Sequence, residues 1–212
     1  MKQIILFISL ILCVPAAAMT VGDFFVAMPD SLMPYLNKAQ RQELISLQQL
    51  DNNSNATLPN LFQRNATLLS ISDEKMVIKP NDGTIMEILR LPANDGDSLF
   101  CLLSTIQLPE EQTQCTIYNK VWQVQQTLDL MGLYTNDSTF LTQCPDTMTQ
   151  QRYAETLKLI EFPIIAAHIT DEPASISVTL SAPYLSKDEK QRLDAILRKR
   201  VMGWNGNSFV VR

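Results

Sequence analysis

The sequence has only one histidine, His168, together with four cysteines and six glycines in 212 residues. A serine or cysteine nucleophile normally needs an imidazole base, so a single histidine can serve at most one such site. His168 lies in a predicted strand, and we expect a hydrogen-bonded or solvent-edge histidine rather than a catalytic one. The cysteines and the histidine show neither CxxC nor HxxxH spacing. We therefore expect no metal site and no cofactor.

Positive charge is also scarce, with 17 lysines and arginines against 22 aspartates and glutamates. The one basic cluster, Arg192 with residues 198–200, lies beside Asp188, Glu189 and Asp194, which is typical of a solvated helix face. Binding to a phosphate backbone depends on clustered lysine and arginine. The composition therefore argues against nucleic acid as a partner.

Long hydrophobic runs are absent except at the beginning of the chain. Lys2 precedes an apolar run over residues 4–14, and Pro15 and residues 16–18, all alanine, follow it. This order is typical of a signal peptide over residues 1–18, cleaved after Ala18. A membrane anchor is the alternative, but the apolar stretch over residues 4–19 has only 16 residues and contains a proline, whereas a spanning helix needs about 20 residues. We expect a secreted or periplasmic protein without a transmembrane segment after cleavage.

Cleavage would also remove Cys13 and would leave three cysteines. Lipidation of Cys13 is disfavoured, because Leu12 stands where lipoprotein signals usually have a small residue. At most one bridge could then form within the chain. A hairpin turn centred on Glu110 would place Cys101 opposite Asn119, four residues from Cys115, so a bridge between Cys101 and Cys115 would need a different register. The pattern favours small buried side chains. Whether Cys144 bridges either of the others stays open.

Helix signals mark both ends of the remaining chain. Thr20 with Asp23 predicts a helix start for residues 24–28, and Asn37 can cap a second helix through Leu50. The segment from Ser186 to Glu189 is a capping box for a late helix. The apolar positions that give this late helix a core stripe are Leu193, Ile196, Leu197 and Val201.

The middle of the chain is rich in β-formers separated by turns. Asn81-Asp82-Gly83 and Asn94-Asp95-Gly96 are strong hairpin signals, because Asp-Gly accepts the positive φ that such turns need. The predicted strands cover residues 67–71, 75–79, 84–91, 98–107, 113–124, 164–170, 175–180 and 209–211. Short turns favour an antiparallel meander. We predict an α+β fold with an N-terminal helical hairpin, a large antiparallel β-sheet and a C-terminal helix packed on the sheet, in a single domain over residues 19–212.

The strand over residues 113–124 carries the most suggestive binding pattern. Its alternation places Tyr118, Lys120 and Trp122 on one face, with Gln114 and Thr116. Such a face could be a flat platform for a sugar ring or a partner chain. Alternatively, a helix covers this face and the aromatic rings are core with polar tips. The same two interpretations apply to Trp204, and the candidate binding residues are Tyr118, Lys120, Trp122 and Trp204.

Paired carboxylates are the remaining catalytic option, because a glycosidase needs only two acids brought together by the fold. Asp95 and Asp97 are the closest acidic pair, but turn chemistry already explains Asp95. The two Asn-Asp-Gly segments do not fit a calcium loop, since the required twelfth residue would be Pro92 or Thr105. No catalytic residue is assigned.

Residues 22–36, reading GDFFVAMPDSLMPYL, together with Arg41 and Leu44, resemble the opening of a family of secreted bacterial proteins of unknown function. Trp204, Gly206 and residues 209–210 are similar to the end of that family. The resemblance implies bacterial export and one domain, and it implies no activity.

These observations favour a non-catalytic extracytoplasmic module that binds a protein or glycan of the cell envelope. The alternative is a small carboxylate-dependent hydrolase acting on an envelope or glycan substrate. A concave pocket with convergent acids of shifted pKa would favour the enzyme.

Overall fold

The structure is a computed structural model that describes residues 19–51, 54–94, 96–107, 109–136 and 140–212. The predicted signal peptide over residues 1–18, including Cys13, and the turn residue Asp95 lie outside the described residues. Among the helices that are described, none combines the length and the apolar character needed to cross a membrane.

Helices and strands follow one another in the order that the sequence signals suggest, with several additions. The helices described are α1 (Val21–Val26), α2 (Lys38–Leu50), α3 (Leu130–Asn136), α4 (Gln150–Leu157) and α5 (Lys187–Asp194). The strands are β1 (Thr57–Pro59), β2 (Asn65–Ile71), β3 (Lys75–Asn81), β4 (Thr84–Pro92), β5 (Ser98–Ile106), β6 (Gln112–Asn119), β7 (Val124–Leu128), β8 (Ile164–Ile169), β9 (Ser175–Ser181), β10 (Arg200–Trp204) and β11 (Phe209–Val211).

Strands β1 to β7 form one antiparallel sheet in sequence order, which confirms the α+β class and the large meander. The last four strands form a separate sheet in the order β11-β10-β9-β8, which the sequence did not predict. Strand β8 packs against one face of the large sheet instead of extending it. The Thr113 hydroxyl of β6 accepts a hydrogen bond from the backbone N–H of Ala167 in β8, at 2.9 Å.

The large sheet therefore has a different layer packed on each of its two faces. Side chains along its central strands point alternately to one face and to the other, so the same strands contribute to both cores. Ile88 of β4 and Phe100 of β5 point into a core shared with α1 and α2. Their neighbours Leu89 and Cys101 point into a second core shared with the small sheet. Both faces of these strands are buried, which explains their nearly continuous apolar sequence. A smaller apolar cluster lies beneath α4 and α5.

The segment between α1 and α2 is organised by one buried arginine. Arg41 is 1% exposed. Its guanidinium donates to the carbonyls of Met28 and Leu36, at 2.6 Å each, and to the Asp30 carboxylate at 3.0 Å. The N-cap side chains of the two helices are Thr20 and Asn37, each in a complete capping box.

The predicted strand over residues 113–124 is wrong in its second half, because β6 ends at Asn119 and the chain turns before β7. The Asn119 side-chain oxygen accepts the backbone N–H groups of Val121 and Gln123, at 3.1 and 2.9 Å. This Asx-type turn replaces the sheet hydrogen bonds of the next residues. Trp122 lies in the turn with φ of 62°, so Lys120 and Trp122 do not continue the face of a strand.

The register of the β5–β6 hairpin also differs from the prediction. Cys101 pairs with Ile117 rather than with Asn119, and Cys115 pairs with Leu103. The two cysteines are therefore diagonal neighbours on one face, and their sulfur atoms lie 3.4 Å apart as free thiols. The predicted four-residue offset is corrected to two residues, whereas their burial agrees with the prediction.

Candidate functional site

Trp122 and Tyr118 lie between the large sheet and α1. The ring of Trp122 stacks on the ring of Phe24 with a centroid distance of 3.8 Å. The ring centroids of Tyr118 and Trp122 lie 5.0 Å apart. The indole N–H donates to the Phe24 carbonyl at 3.2 Å. Tyr118 is only 7% exposed, and burial is the main cause that raises its pKa. Trp122 thus packs against α1 and Tyr118 is buried, so these two rings do not form an open aromatic platform. A binding role for these two residues stays a prediction.

Lys120 is the exposed member of the predicted set. Its ammonium lies 2.9 Å from the Asp97 carboxylate. This contact connects the turn after β6 to the loop that leads into β5. The hydrogen bond from Lys120, followed by that from the backbone of Ser98, lowers the pKa of Asp97.

Trp204 lies on the opposite side of the large sheet, in the core that the small sheet shares with it. Its indole N–H donates to the Pro92 carbonyl at 2.7 Å, and its ring makes an edge contact with Phe209 at 5.3 Å. The structure therefore does not bring Trp204 together with Tyr118 and Trp122. Each indole N–H thus donates to a backbone carbonyl across a layer boundary: Trp122 joins the large sheet to α1, and Trp204 joins the small sheet to the large sheet.

The only histidine lies between two carboxylates that sequence reasoning did not connect to it. His168 Nδ1 is 2.8 Å from Glu87 Oε2, and its Nε2 is 3.0 Å from Glu111 Oε2. The second oxygen of Glu87 accepts the backbone N–H of Ile169 at 3.2 Å. The hydrogen bond with Glu87, helped by Glu111 and opposed by burial, raises the pKa of His168 from 6.5 to about 9.

This Glu87–His168–Glu111 cluster is suited to holding the two sheets together. At neutral pH the imidazole is protonated and both of its nitrogens face carboxylates, so it has no lone pair with which to act as a base. The pKa of Glu111 is lowered, first by its hydrogen bond with Gln107 and then by His168. The two carboxylate partners of His168 lie 81 and 57 residues away from it in the chain. No local sequence pattern could therefore have predicted the cluster.

A groove between α1 and α2 has a volume of about 950 Å³. Residues Lys38, Gln42, Ser46 and Gln49 of α2 line one wall. Because they recur every three or four residues, they form one polar stripe along the helix. The buried stripe of α2, which includes Arg41, Leu44 and Gln48, faces the interior instead.

The other wall of the groove consists of α1 and the turn between β2 and β3. Its lining residues are Thr20, Gly22, Asp23, Val26, Ala27, Ser72 and Asp73, with Ile45 of α2 and Ile71 also in the lining. The Asp73 carbonyl accepts the backbone N–H of Val21 at 3.3 Å, which ties α1 to this turn. The small Gly22 brings α1 close to the apolar side chains, since a Cβ there would lie 3.4 Å from Ile71.

A second, smaller cleft of about 210 Å³ lies where the segment before α2 crosses the large sheet. Tyr118 lines it together with Thr116, Gln114 and Ser104. Tyr118 and its two polar neighbours on β6 are thus the part of the predicted binding face that borders a cavity, and a binding role for them stays a prediction.

Among the described residues, no group of three or more histidine, cysteine, aspartate or glutamate side chains is arranged to hold a metal ion. The Glu87–His168–Glu111 cluster does not change this finding, because its histidine is protonated and its contacts are hydrogen bonds.

Comparison with known proteins gives a family and a fold. A family model described as a protein of unknown function (DUF3256) matches residues 13–209. The structure is similar to a solved one titled "Structure of a domain of an uncharacterized protein from Porphyromonas gingivalis W83". The TM-score is 0.70 at 18% identity, covering 92% of this chain and 98% of that chain. No curated protein matches the sequence.

Proposed function

The chain belongs to DUF3256, a family of proteins of unknown function, and we propose that it is a non-catalytic binding module whose ligand is an extended polypeptide held between α1 and α2. The observation that carries the proposal is the 950 Å³ groove, whose walls present both polar and apolar side chains. We further propose that residues 19–212 act as one exported domain after removal of the N-terminal segment, so that the polypeptide belongs to the cell envelope.

The electrostatics of the acidic groups favour binding over hydrolysis. A general acid needs a carboxyl group with a raised pKa. Among the described aspartates and glutamates with a shifted pKa, Asp97, Glu111 and Glu189, the pKa is lowered by hydrogen bonds, chiefly from Lys120, Gln107 and Ser186 respectively. None of these three acids lines the groove. In the groove itself, Asp23 accepts hydrogen bonds from the Thr20 backbone and hydroxyl, which occupies it in helix capping.

The lining chemistry favours a polypeptide over a sugar. The groove lacks an aromatic side chain among its described lining residues, whereas sugar rings are commonly bound against aromatic faces. The amides of Gln42 and Gln49 can both donate and accept hydrogen bonds, as the backbone of an extended peptide requires. Val26, Ala27 and Ile45 supply apolar contacts for alternate side chains.

The dimensions agree with a short segment. Lys38 and Gln49 are eleven residues apart on α2, which corresponds to about 16 Å at about 1.5 Å per residue. An extended peptide rises about 3.3 Å per residue, so roughly five residues fit along the wall.

The test uses the purified protein against a random peptide library and a glycan array, with one blocking variant. Ser46→Arg places a long charged side chain in the middle of the α2 wall. Leu50→Arg is the matched control, because Leu50 is 84% exposed, does not line the groove and gains the same charge.

We expect selected peptides to bind the wild type and the Leu50→Arg control equally, and to lose at least about tenfold in affinity for Ser46→Arg. Binding of glycans in place of peptides would show that the ligand class is wrong. Equal peptide affinity for all three proteins would show that the groove is not the site.

A further inference from the structure

Strand β7 forms one edge of the large sheet, and among the described strands it pairs with β6 alone. Val124, Gln125 and Thr127 are exposed, and Val124 has an exposed fraction of 58%. Among the hydrogen bonds between described residues, none joins the outer edge of β7 to another backbone group. The strand therefore presents backbone donors and acceptors to an incoming strand.

The other sheet edges described are short or covered. Strand β1 has three residues and contains Pro59, which cannot donate a hydrogen bond. Strand β11 also has three residues. The open edge of β8 is capped by side chains of the large sheet, since Thr113 and Glu87 accept the backbone N–H groups of Ala167 and Ile169. Strand β7 has neither protection.

Natural proteins usually guard an open edge with charge, proline or a very short strand. The five residues of β7 read Val-Gln-Gln-Thr-Leu and include no charged residue and no proline. The sequence is also self-complementary about its central residue. In an antiparallel pair of two copies, Gln126 lies opposite Gln126, Gln125 opposite Thr127, and Val124 opposite Leu128.

We propose that β7 pairs antiparallel with β7 of a second copy of this chain, with the two-fold axis at Gln126. The two seven-stranded sheets then form one continuous sheet. Each contact occurs twice, as a two-fold interface requires. The carboxylate of Asp129 lies opposite Gln123 of the other copy and not opposite its own counterpart. A neutral strip is the surface that two chains of net charge −5 can bring together with least repulsion.

The first test is sedimentation velocity on the wild type over a range of concentrations, beside Gln126→Lys and Gln126→Glu. Each variant places like charges directly opposite one another on the axis, which destabilises a strand pair. We expect the wild type to dimerise and each variant to self-associate at least about tenfold more weakly. Gln151→Lys, an exposed position on α4, is the charge-matched control and keeps the wild-type behaviour.

Mixing the two variants gives the decisive result, because lysine then faces glutamate across the axis. Recovery of a dimer in the mixture supports the pairing. A mixture that stays monomeric, a dimer that Gln126→Lys does not weaken, or a wild type that stays monomeric up to about 1 mM each overturns it.

Crosslinking tests the register without adding charge. In a Cys144→Ser background, Gln126→Cys places two thiols across the axis, and mild oxidation with oxidised glutathione is expected to give a disulfide-linked dimer. Gln123→Cys is the control, because residue 123 faces residue 129 of the other copy. Faster crosslinking at 123 than at 126 contradicts the proposed axis. Circular dichroism melting curves that match the wild type show that each variant is folded.

Discussion

The ring of Trp122 stacks on the ring of Phe24 at 3.8 Å, and its indole N–H donates to the backbone carbonyl of that same residue at 3.2 Å. Phe24 in turn stacks on Phe100 of β5 at 3.9 Å. Three rings thus connect a turn of the sheet, helix α1 and a central strand. Trp122, one of the candidate binding residues, thus packs against α1, which forms one wall of the groove.

We therefore expect Trp122→Ala to lower the free energy of unfolding by about 2–4 kcal/mol, because it removes the stacking, the buried area and a hydrogen bond. Urea denaturation followed by circular dichroism measures this. Val121→Ala in the same turn is the control, since Val121 is 64% exposed and its truncation should cost about 0.5 kcal/mol or less. Equal effects of the two substitutions would contradict the packing role.

Arg41 makes a similar prediction for the segment between α1 and α2. Arg41→Met should lower the free energy of unfolding by about 3 kcal/mol or more, because the carbonyls of Met28 and Leu36 lose their charged donor. Arg41→Lys should fall between methionine and wild type, since one ammonium cannot reach all the acceptors of a guanidinium.

Urea denaturation gives the free energies, and limited proteolysis shows whether residues 29–36 become cleavable. The exposed Arg64 provides the control: Arg64→Met should change stability by about 0.5 kcal/mol or less. A wild-type stability for Arg41→Met would mean that the carbonyls find other donors.

The pH dependence of stability follows from His168. Its pKa is raised from 6.5 to about 9, so the folded state binds the proton more tightly than the unfolded state. The stabilisation is fully present below pH 6.5 and is lost as the pH rises through about 9. The full shift would correspond to about 3 kcal/mol, and because 31% of the side chain is exposed, we expect about 1–2 kcal/mol.

The measurement is direct because the chain has one histidine, which gives one set of imidazole signals in an NMR titration. We expect its midpoint near pH 9, and a midpoint near 6.5 would contradict the ion pairs. In denaturation experiments, His168→Gln should remove the loss of stability between pH 6.5 and 9 that the wild type shows.

Local sequence signals predicted the features that are decided within a few residues. Thr20, Asn37 and Ser186 are N-caps with complete capping boxes, because the cap and its partner are only three positions apart. The turn at Asn81 is closed by its own side chain, which accepts the N–H of Gly83 at 2.8 Å. Antiparallel neighbours in sequence order then follow from short connections.

The features that were missed depend on distant or competing interactions. Strand β6 ends at Asn119, because the side-chain oxygen of this residue accepts two backbone N–H groups. The alternation of polar and apolar residues does not reveal such a turn. In the second sheet, the outward backbone N–H groups of β8 donate to Thr113 and Glu87 rather than to another strand. The groove and the carboxylate partners of His168 depend on packing between elements, and no spacing along the chain reports such contacts.

The buried thiols give a final prediction about reactivity. Cys101 shares a hydrogen bond with Cys115 at 3.4 Å, and this contact, followed by burial, raises the pKa of the Cys101 thiol well above its ordinary value. The thiolate is the form that reacts with alkylating reagents. Brief treatment of the native protein with iodoacetamide at pH 8 should therefore label the partly exposed Cys144. Cys101 and Cys115 should be labelled about 100-fold more slowly. Peptide mass spectrometry locates the label, with urea-unfolded protein as the control in which all three cysteines react. Rapid native labelling of Cys101 would show that the thiol pair is accessible. If Cys101 and Cys115 resist labelling in urea until a reductant is added, the pair is already oxidised.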